Sequence, residues 1–284
     1  MKKVLITGAN SYIGTSVERW LLHSDNEYVV DTLDVKSPKW IEHDFSIYDS
    51  VFHVAGIAHF SKDESKKDLY YQVNTKLTYQ VAKKVKDANV SQFIFMSSII
   101  VYGDSTSRER LITKDTIPTP SDFYGDSKYQ AELKIQTLVD EKFKVVIIRP
   151  PMIYGKGSKG NYPRLSKLAQ KLPVFPNYEN KRSMLHIDNL CEFIKQVIDG
   201  NLEGVLFPQN KEYVATSQLV KTVASVHHHK INLTKMFNPI IQLLFFNDNI
   251  KKMFGNLMYE TTMSQYDFEY QIRDFEESIE LTEL

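Results

Sequence analysis

Residues 1–14 read MKKVLITGANSYIG. Val4–Thr7 is a short β-rich run that stops at Gly8, and Gly14 follows with Ser11 between the two glycines. The run is too short and too soon interrupted for a secretory leader, which needs about 7–15 apolar residues. It reads instead as a buried strand, a glycine-bounded turn and a helix continuing to about Leu22. A turn of this kind with three glycines makes a tight bend, lets a pyrophosphate approach the backbone, and packs the helix closely on the strand. The helix N-terminus, here Tyr12 and Ile13, then offers its N–H groups to the phosphates. Ser11 departs from the three-glycine form: it keeps a backbone N–H and adds a hydroxyl, but brings a Cβ near the phosphates. A plain tight turn is the bland alternative; the position directly after the first strand favours a dinucleotide.

Outward from this stretch the first half of the chain alternates strands and helices. Tyr28–Leu33, Val51–Val54, Gln92–Met96 and Lys144–Ile148 read as strands. Residues 69–88 read as a helix with Leu69, Val73, Leu77 and Val81 on one face, and Tyr124–Val139 as another. Several strands are continuous apolar runs, as in sheets covered on both faces. The expected class is α/β, a doubly wound parallel sheet. Beyond Pro150 prolines punctuate shorter elements, so a first domain over 1–155 and a smaller second domain over 156–284, with segments returning to the first, is expected.

Composition narrows the function. The 284 residues hold 35 Lys+Arg against 35 Asp+Glu, which excludes a dedicated nucleic-acid binder. One cysteine excludes a disulfide framework and a cysteine-based zinc module, and fits the cytoplasm. No apolar stretch is long enough for a transmembrane helix.

Two further signals point to redox chemistry. Asp34 lies 26 positions after Gly8, near the end of the second strand. A carboxylate there accepts hydrogen bonds from ribose hydroxyls and repels a 2′-phosphate, favouring NAD; nearby Lys36 leaves NADP open. Tyr-x-x-x-Lys places a phenol and an ammonium one helical turn apart. It occurs at Tyr79/Lys83 and at Tyr124/Lys128. The second pair opens a helix after a loop, downstream of Ser97-Ser98, on the side of the sheet where ligands sit. It is taken as the functional pair and the first as a packed tyrosine with a solvated lysine.

Together TGANSYIG, VFHVAG (51–56), VNT (73–75), FMSSIIVYG (95–103), YGDSK (124–128) and RPPMIYG (149–155) resemble the extended short-chain dehydrogenase/reductase family, in family order. The resemblance implies a Rossmann domain holding NAD(P) and a smaller α/β domain holding a nucleotide sugar. It implies that Ser98 hydrogen-bonds the reacting sugar oxygen, that Tyr124 transfers the proton, and that Lys128 binds the nicotinamide ribose and lowers the tyrosine's pKa. Ala55, Gly56, Asp44 with its neighbour Phe45, Asn74 and Pro150 fall at cofactor positions. Met152 stands where many relatives carry Asn, and only ten positions separate Asp34 from Asp44, so a more open adenine edge is expected.

On the substrate side the resemblance gives Asn161 a backbone contact to the diphosphate, the segment ending Val174-Phe175 the base, and Arg182 the diphosphate charge. It points to enzymes of bacterial capsule and O-antigen synthesis. The leading expectation is 4-keto reduction of a UDP-4-keto-6-deoxy-N-acetylhexosamine. The alternatives are a UDP-hexose 4-epimerase with retained NAD and a non-catalytic NAD(P)-binding sensor, against which the intact Ser98, Tyr124 and Lys128 argue.

Other features read as structural. His227-His228-His229 is a solvated helix end, since adjacent residues do not share a helix face. Cys191 is core, and His186 is a supporting histidine. The apolar stretch 240–254 packs on the body or on a homodimer partner, with a membrane surface the lesser reading.

Overall fold

The computed structural model describes residues 1–24, 27–58, 63–106 and 108–284. The chain forms two compact units, each gathered from three stretches: 1–103, 117–150 and 190–208 in the first, and 104–116, 151–189 and 209–284 in the second.

The first unit is built on a six-stranded parallel sheet. Lys2–Thr7 pairs with Tyr28–Leu33 on one side and Ser50–His53 on the other. Gln92–Met96, Lys144–Ile148 and Gly204–Leu206 follow outward. Every pairing is parallel, so each connection must cross over, and helices cover the faces. The order reverses at Lys2–Thr7: the chain goes first to Tyr28–Leu33 on one side and then crosses to Ser50–His53 on the other. That reversal opens a crevice at the strands' C-terminal ends, beside Thr7, Leu33 and His53. Gln92 anchors the opposite end of the sheet. It accepts from Ser50 Oγ at 2.8 Å and donates to the carbonyls of Val197 and Leu202, both at 3.0 Å.

One expectation fails instructively. The helix expected over 69–88 is α only at Lys67–Tyr70 and Thr78–Asp87, with a π-helical stretch at Tyr71–Leu77 between them. The wider turn shifts the buried face. Tyr70, Asn74, Thr75, Thr78, Val81 and Val85 are buried, while Leu69 is 45% exposed. A fixed four-residue spacing misses such a shift, and π turns are frequent at functional sites.

The second unit has three two-stranded parallel pairs. Met152–Tyr154 lies against Met184–His186, Val174–Pro176 against Asn232–Thr234, and Leu111–Ile112 against Met258–Tyr259. Helices Tyr162–Ala169, Thr216–Val226 and Phe275–Glu283 pack over a core that includes Tyr154, Phe175, Leu219, Val223 and Ile279. No helix among the described residues is long and apolar enough to cross a membrane.

Candidate active site

The glycine turn is closed by sterics. Gly8 has φ of 109°, and a Cβ on it would sit 2.8 Å from Ala55 N, so the ends of two neighbouring strands meet only because no side chain intervenes. Asn10 is also left-handed, with φ of 63°. Ser11 is the N-cap of helix Tyr12–Leu22. Its N–H donates to Gly8 O at 3.1 Å, and its Oγ accepts from Gly14 N at 3.1 Å. Its hydroxyl is thus engaged in ending the helix. The helix directs its positive end, at Tyr12 and Ile13, toward the turn.

Both acids expected on the adenosine side are exposed. Asp34 Oδ1 accepts from Lys36 N at 2.9 Å. Asp44 Oδ1 accepts from the hydroxyl and N–H of Ser46, which hold its carboxyl below the usual range. Between them lies a single 3-10 stretch, Pro38–Glu42, in place of a full helix. Phe45 is buried in the core with Lys84 Nζ 5.5 Å from its ring centre, so only its backbone is offered outward.

Gly56, Asn74 and Lys128 come together at the end of the central strands. A Cβ on Gly56 would lie 3.1 Å from both Asn74 Oδ1 and Lys128 Nζ. Asn74, on the π stretch, is fully buried and clamps the loop after Gly56. Its Oδ1 accepts from Ile57 N at 2.8 Å, and its Nδ2 donates to Ile57 O and Ser127 Oγ. Thr75 Oγ1 donates to Ser127 O at 2.6 Å. The π turn therefore splices this helix onto the one that carries the Tyr124/Lys128 pair.

That helix, Phe123–Gln136, starts at Asp122, whose Oδ1 accepts from Gly125 N at 2.8 Å. Gly125 is required there: its Cβ would sit 2.8 Å from Ile100 O, so the Ser98 loop rests directly on the first turn. The Tyr124 side chain lies beside Ser98, whose Oγ accepts from Ile100 N at 3.3 Å. Burial pushes the phenol up to about 12, with the nearby Ser98 side chain pulling the other way, so the phenol is neutral at physiological pH. Lys128 Nζ donates to Met96 O at 2.9 Å and lies 4.7 Å from the Phe95 ring centre; burial brings the ammonium down to about 8. The other Tyr-x-x-x-Lys pair is different in kind: Lys83 is exposed and bonded to Asp87 at 2.7 Å, and Tyr79 packs at the edge of the core.

Glu132, Arg149 and His53 were not singled out from sequence. Glu132, one turn after Lys128, pairs with Arg149 at 2.5 Å and accepts from Ser97 Oγ; Arg149 Nη1 donates to Tyr102 Oη at 2.6 Å. The spacing Tyr124, Lys128, Glu132 was the available signal, since it places all three on one helix face. His53 is buried between Thr7 Oγ1 at 2.6 Å and Thr78 Oγ1 at 3.0 Å, and burial pushes its imidazole down to about 3. Pro150 is buried, and its carbonyl accepts from Ile99 N at 2.9 Å, holding the Ser98 loop.

In the second unit Met152, Asn161, Leu165, Arg182, Thr216 and Lys252 line one small concavity. Asn161 precedes helix Tyr162–Ala169 without capping it through its side chain. Arg182 Nη1 donates to Ser105 Oγ at 3.2 Å and Gly255 O at 3.0 Å, and among the described residues no carboxylate pairs with it. Burial lowers its guanidinium to about 10. Val174 and Phe175 diverge: Val174 is exposed, while the Phe175 ring is buried 5.9 Å from Phe254. His186 is buried against Tyr154, and Cys191 is core. His227 and His229 are held by Glu283 at 2.7 Å and Leu172 O at 3.0 Å, so the histidine run is anchored rather than merely solvated.

The first unit fits a dinucleotide on its own geometry. The glycine turn leaves no room for a Cβ, a helix N-terminus faces it, and Gly56 keeps the approach to Lys128 and Asn74 clear. Comparison with known proteins agrees. The chain is 31% identical over 246 residues to a UDP-glucose 4-epimerase of Vibrio cholerae, covering 78% of this chain and 75% of that protein. It is 28% identical over 247 residues to the N-acetyl-alpha-D-glucosaminyl-diphospho-ditrans,octacis-undecaprenol 4-epimerase of Escherichia coli O157:H7, covering 80% and 73%. The fold matches the crystal structure of UDP-N-acetylglucosamine 4-epimerase from Bacillus cereus with a TM-score of 0.77 at 15% identity, over 100% of this chain and 96% of that one. Residues 4–205 match the NAD dependent epimerase/dehydratase family, and the chain is an NAD(P)-dependent enzyme of that family, the extended short-chain dehydrogenase/reductases.

Proposed function

We propose that this enzyme acts at C4 of a UDP-linked hexose or N-acetylhexosamine and interconverts the C4 epimers. The observation that carries the reading is the Tyr124/Lys128 pair, one turn apart on helix Phe123–Gln136, whose first turn rests on the Ser98 loop at the C-terminal end of the parallel strands, with Lys128 beside Gly56 and Asn74. Bound NAD supplies a reversible hydride acceptor. Ser98 orients the sugar hydroxyl, and Tyr124 takes or returns its proton. The neutral phenol is the donor form; the acceptor form needs the phenol's pKa brought down toward neutrality, a task that falls to the Lys128 ammonium when ligands displace water. Lys128 is well placed to hold a ribose hydroxyl as well, because its ammonium stands beside Gly56 and Asn74. In the second unit Arg182, with no carboxylate partner among the described residues, and Lys252 supply positive charge for the diphosphate. Met152 and Leu165 give the same concavity an apolar wall. The relatives' 4-epimerase activities support this direction of the reaction.

Net reduction of a UDP-4-keto-6-deoxy-N-acetylhexosamine is the second reading. It is favoured by the exposed Asp34 and Asp44 and the single 3-10 stretch between them. An open adenosine edge suits exchange of the cofactor at every turnover. One experiment separates the two. Purified enzyme is offered UDP-glucose and UDP-N-acetylglucosamine without added cofactor, and the 4-keto sugar with NADH or NADPH. Epimer formation without added cofactor supports the first reading; stoichiometric loss of reduced-nicotinamide absorbance supports the second. Neither product with any UDP-sugar overturns both.

A further inference from the structure

The segment from Met236 to Phe254 is apolar on both of its sides. Ile241, Phe245 and Phe254 are buried in the core of the second unit. On the other side Met236 (72% exposed), Ile240, Leu243 (76%), Leu244 and Phe246 (75%) stand in solvent. Ile240 and Leu243 lie three residues apart on helix Asn238–Leu243, Met236 precedes it, and Leu244 and Phe246 follow in the turn after it. Single exposed leucines need no explanation; a row of five large ones does.

Charge identifies the cover. The whole chain is balanced, yet no Asp or Glu occurs between Glu212 and Asp248, while Lys221, Lys230 and Lys235 fall in that span and Lys251 and Lys252 follow it. Lys230, Lys235 and Lys252 are exposed. A second copy of the chain seated on the same patch would bring these lysines against their own equivalents. Five side chains also fall well short of the roughly 20–30 residues a side of a stable protein interface. An exposed apolar row on a stretch of chain that carries lysines and no acid from 213 to 247, with Lys235 paired to Glu179 at 3.0 Å, matches a bilayer surface bearing anionic headgroups.

We infer that the exposed face of residues 236–246 docks on an anionic membrane surface, with Met236, Ile240, Leu243 and Phe246 entering the headgroup–acyl boundary and the flanking lysines meeting lipid phosphates. The same stretch of chain continues into Lys252, which lines the concavity that holds Arg182. The inference does not depend on which C4 reaction the enzyme performs.

The test is sedimentation of the full chain with vesicles of phosphatidylethanolamine and phosphatidylglycerol, and separately with pure phosphatidylcholine. Wild type should pellet with the anionic vesicles and remain in solution with the neutral ones. Leu243→Ser with Phe246→Ser should weaken binding by about tenfold or more, because two of the most exposed apolar side chains are lost from the docking face. Lys230→Glu with Lys235→Glu should weaken it without touching the apolar row. Both double variants alter exposed side chains, so their thermal melting should match wild type. Wild type that stays in the supernatant with anionic vesicles overturns the inference. So does equal binding by the Leu243→Ser/Phe246→Ser protein, or light scattering that shows a dimer which this variant dissociates, which would assign the face to a second copy.

Discussion

Glu132 and Arg149 form a buried ion pair: Arg149 Nη2 lies 2.5 Å from Glu132 Oε2, with side chains 1% and 8% exposed respectively. The contact is bidentate, since Arg149 Nε also reaches the carboxylate at 3.1 and 3.2 Å. Around it Ser97 donates to Glu132, and Tyr102 accepts from Arg149. The pair therefore holds both ends of the loop that presents Ser98, and it lies one turn beyond Lys128.

Removing one partner leaves the other charge buried. Glu132→Ala should lower stability by about 3–5 kcal/mol, whereas replacing both partners by apolar residues of similar volume should recover most of that loss. Urea unfolding of Glu132→Ala and of Glu132→Leu/Arg149→Met measures both. A single substitution costing under about 1 kcal/mol would show that the pair does not hold the loop.

Tyr124→Phe keeps the ring packed against Tyr70, 6.0 Å away, and removes only the hydroxyl. Turnover should fall by roughly 100–10,000-fold with an unchanged melting temperature. Tyr79→Phe should leave turnover intact, because Lys83 at that site is exposed and paired with Asp87. Equal losses in the two variants would transfer the chemistry away from Tyr124.

His53 makes stability pH-dependent. Its imidazole is pushed down to about 3 by burial, against an ordinary 6.5 in the unfolded chain. Between those values the unfolded state binds a proton that the native state does not. Its contribution is fully present above pH 6.5 and falls by about 1.4 kcal/mol per pH unit as the pH drops toward 3. His53→Gln keeps a donor and an acceptor between Thr7 and Thr78 and removes the titration. Unfolding free energies from pH 6 to pH 4 should fall less steeply in that variant than in wild type. Parallel slopes would mean that His53 takes up its proton without unfolding the chain.

Arg182→Ala should raise KM for the UDP-sugar with little change in kcat or in NAD affinity. Loss of a charge-assisted contact is worth about 1.5–3 kcal/mol, or roughly 10–150-fold. Initial rates over a substrate series and calorimetric titration of NAD measure the two effects. A loss confined to NAD binding would move the diphosphate reading away from this arginine.

The sequence by itself determined the sheet. Tyr28–Leu33, Gln92–Met96 and Lys144–Ile148 are strands over the residues expected; the last two hold the apolar runs Phe93–Met96 and Val145–Ile148, which a parallel strand covered on both faces buries. It also determined the glycine turn, since only a residue without a Cβ fits where Gly8 meets Ala55. Only the tertiary structure decided the rest. The π turn at Tyr71–Leu77 depends on Asn74 and Thr75 finding Ser127, more than fifty residues away, and local spacing carries no trace of that partner. The Glu132–Arg149 pair and the neutral His53 likewise arise from burial, which sets the energy of a charge and is a property of the packed chain. The two faces of 236–254 differ for the same reason: both are apolar in sequence, and packing alone chose which one the core would cover.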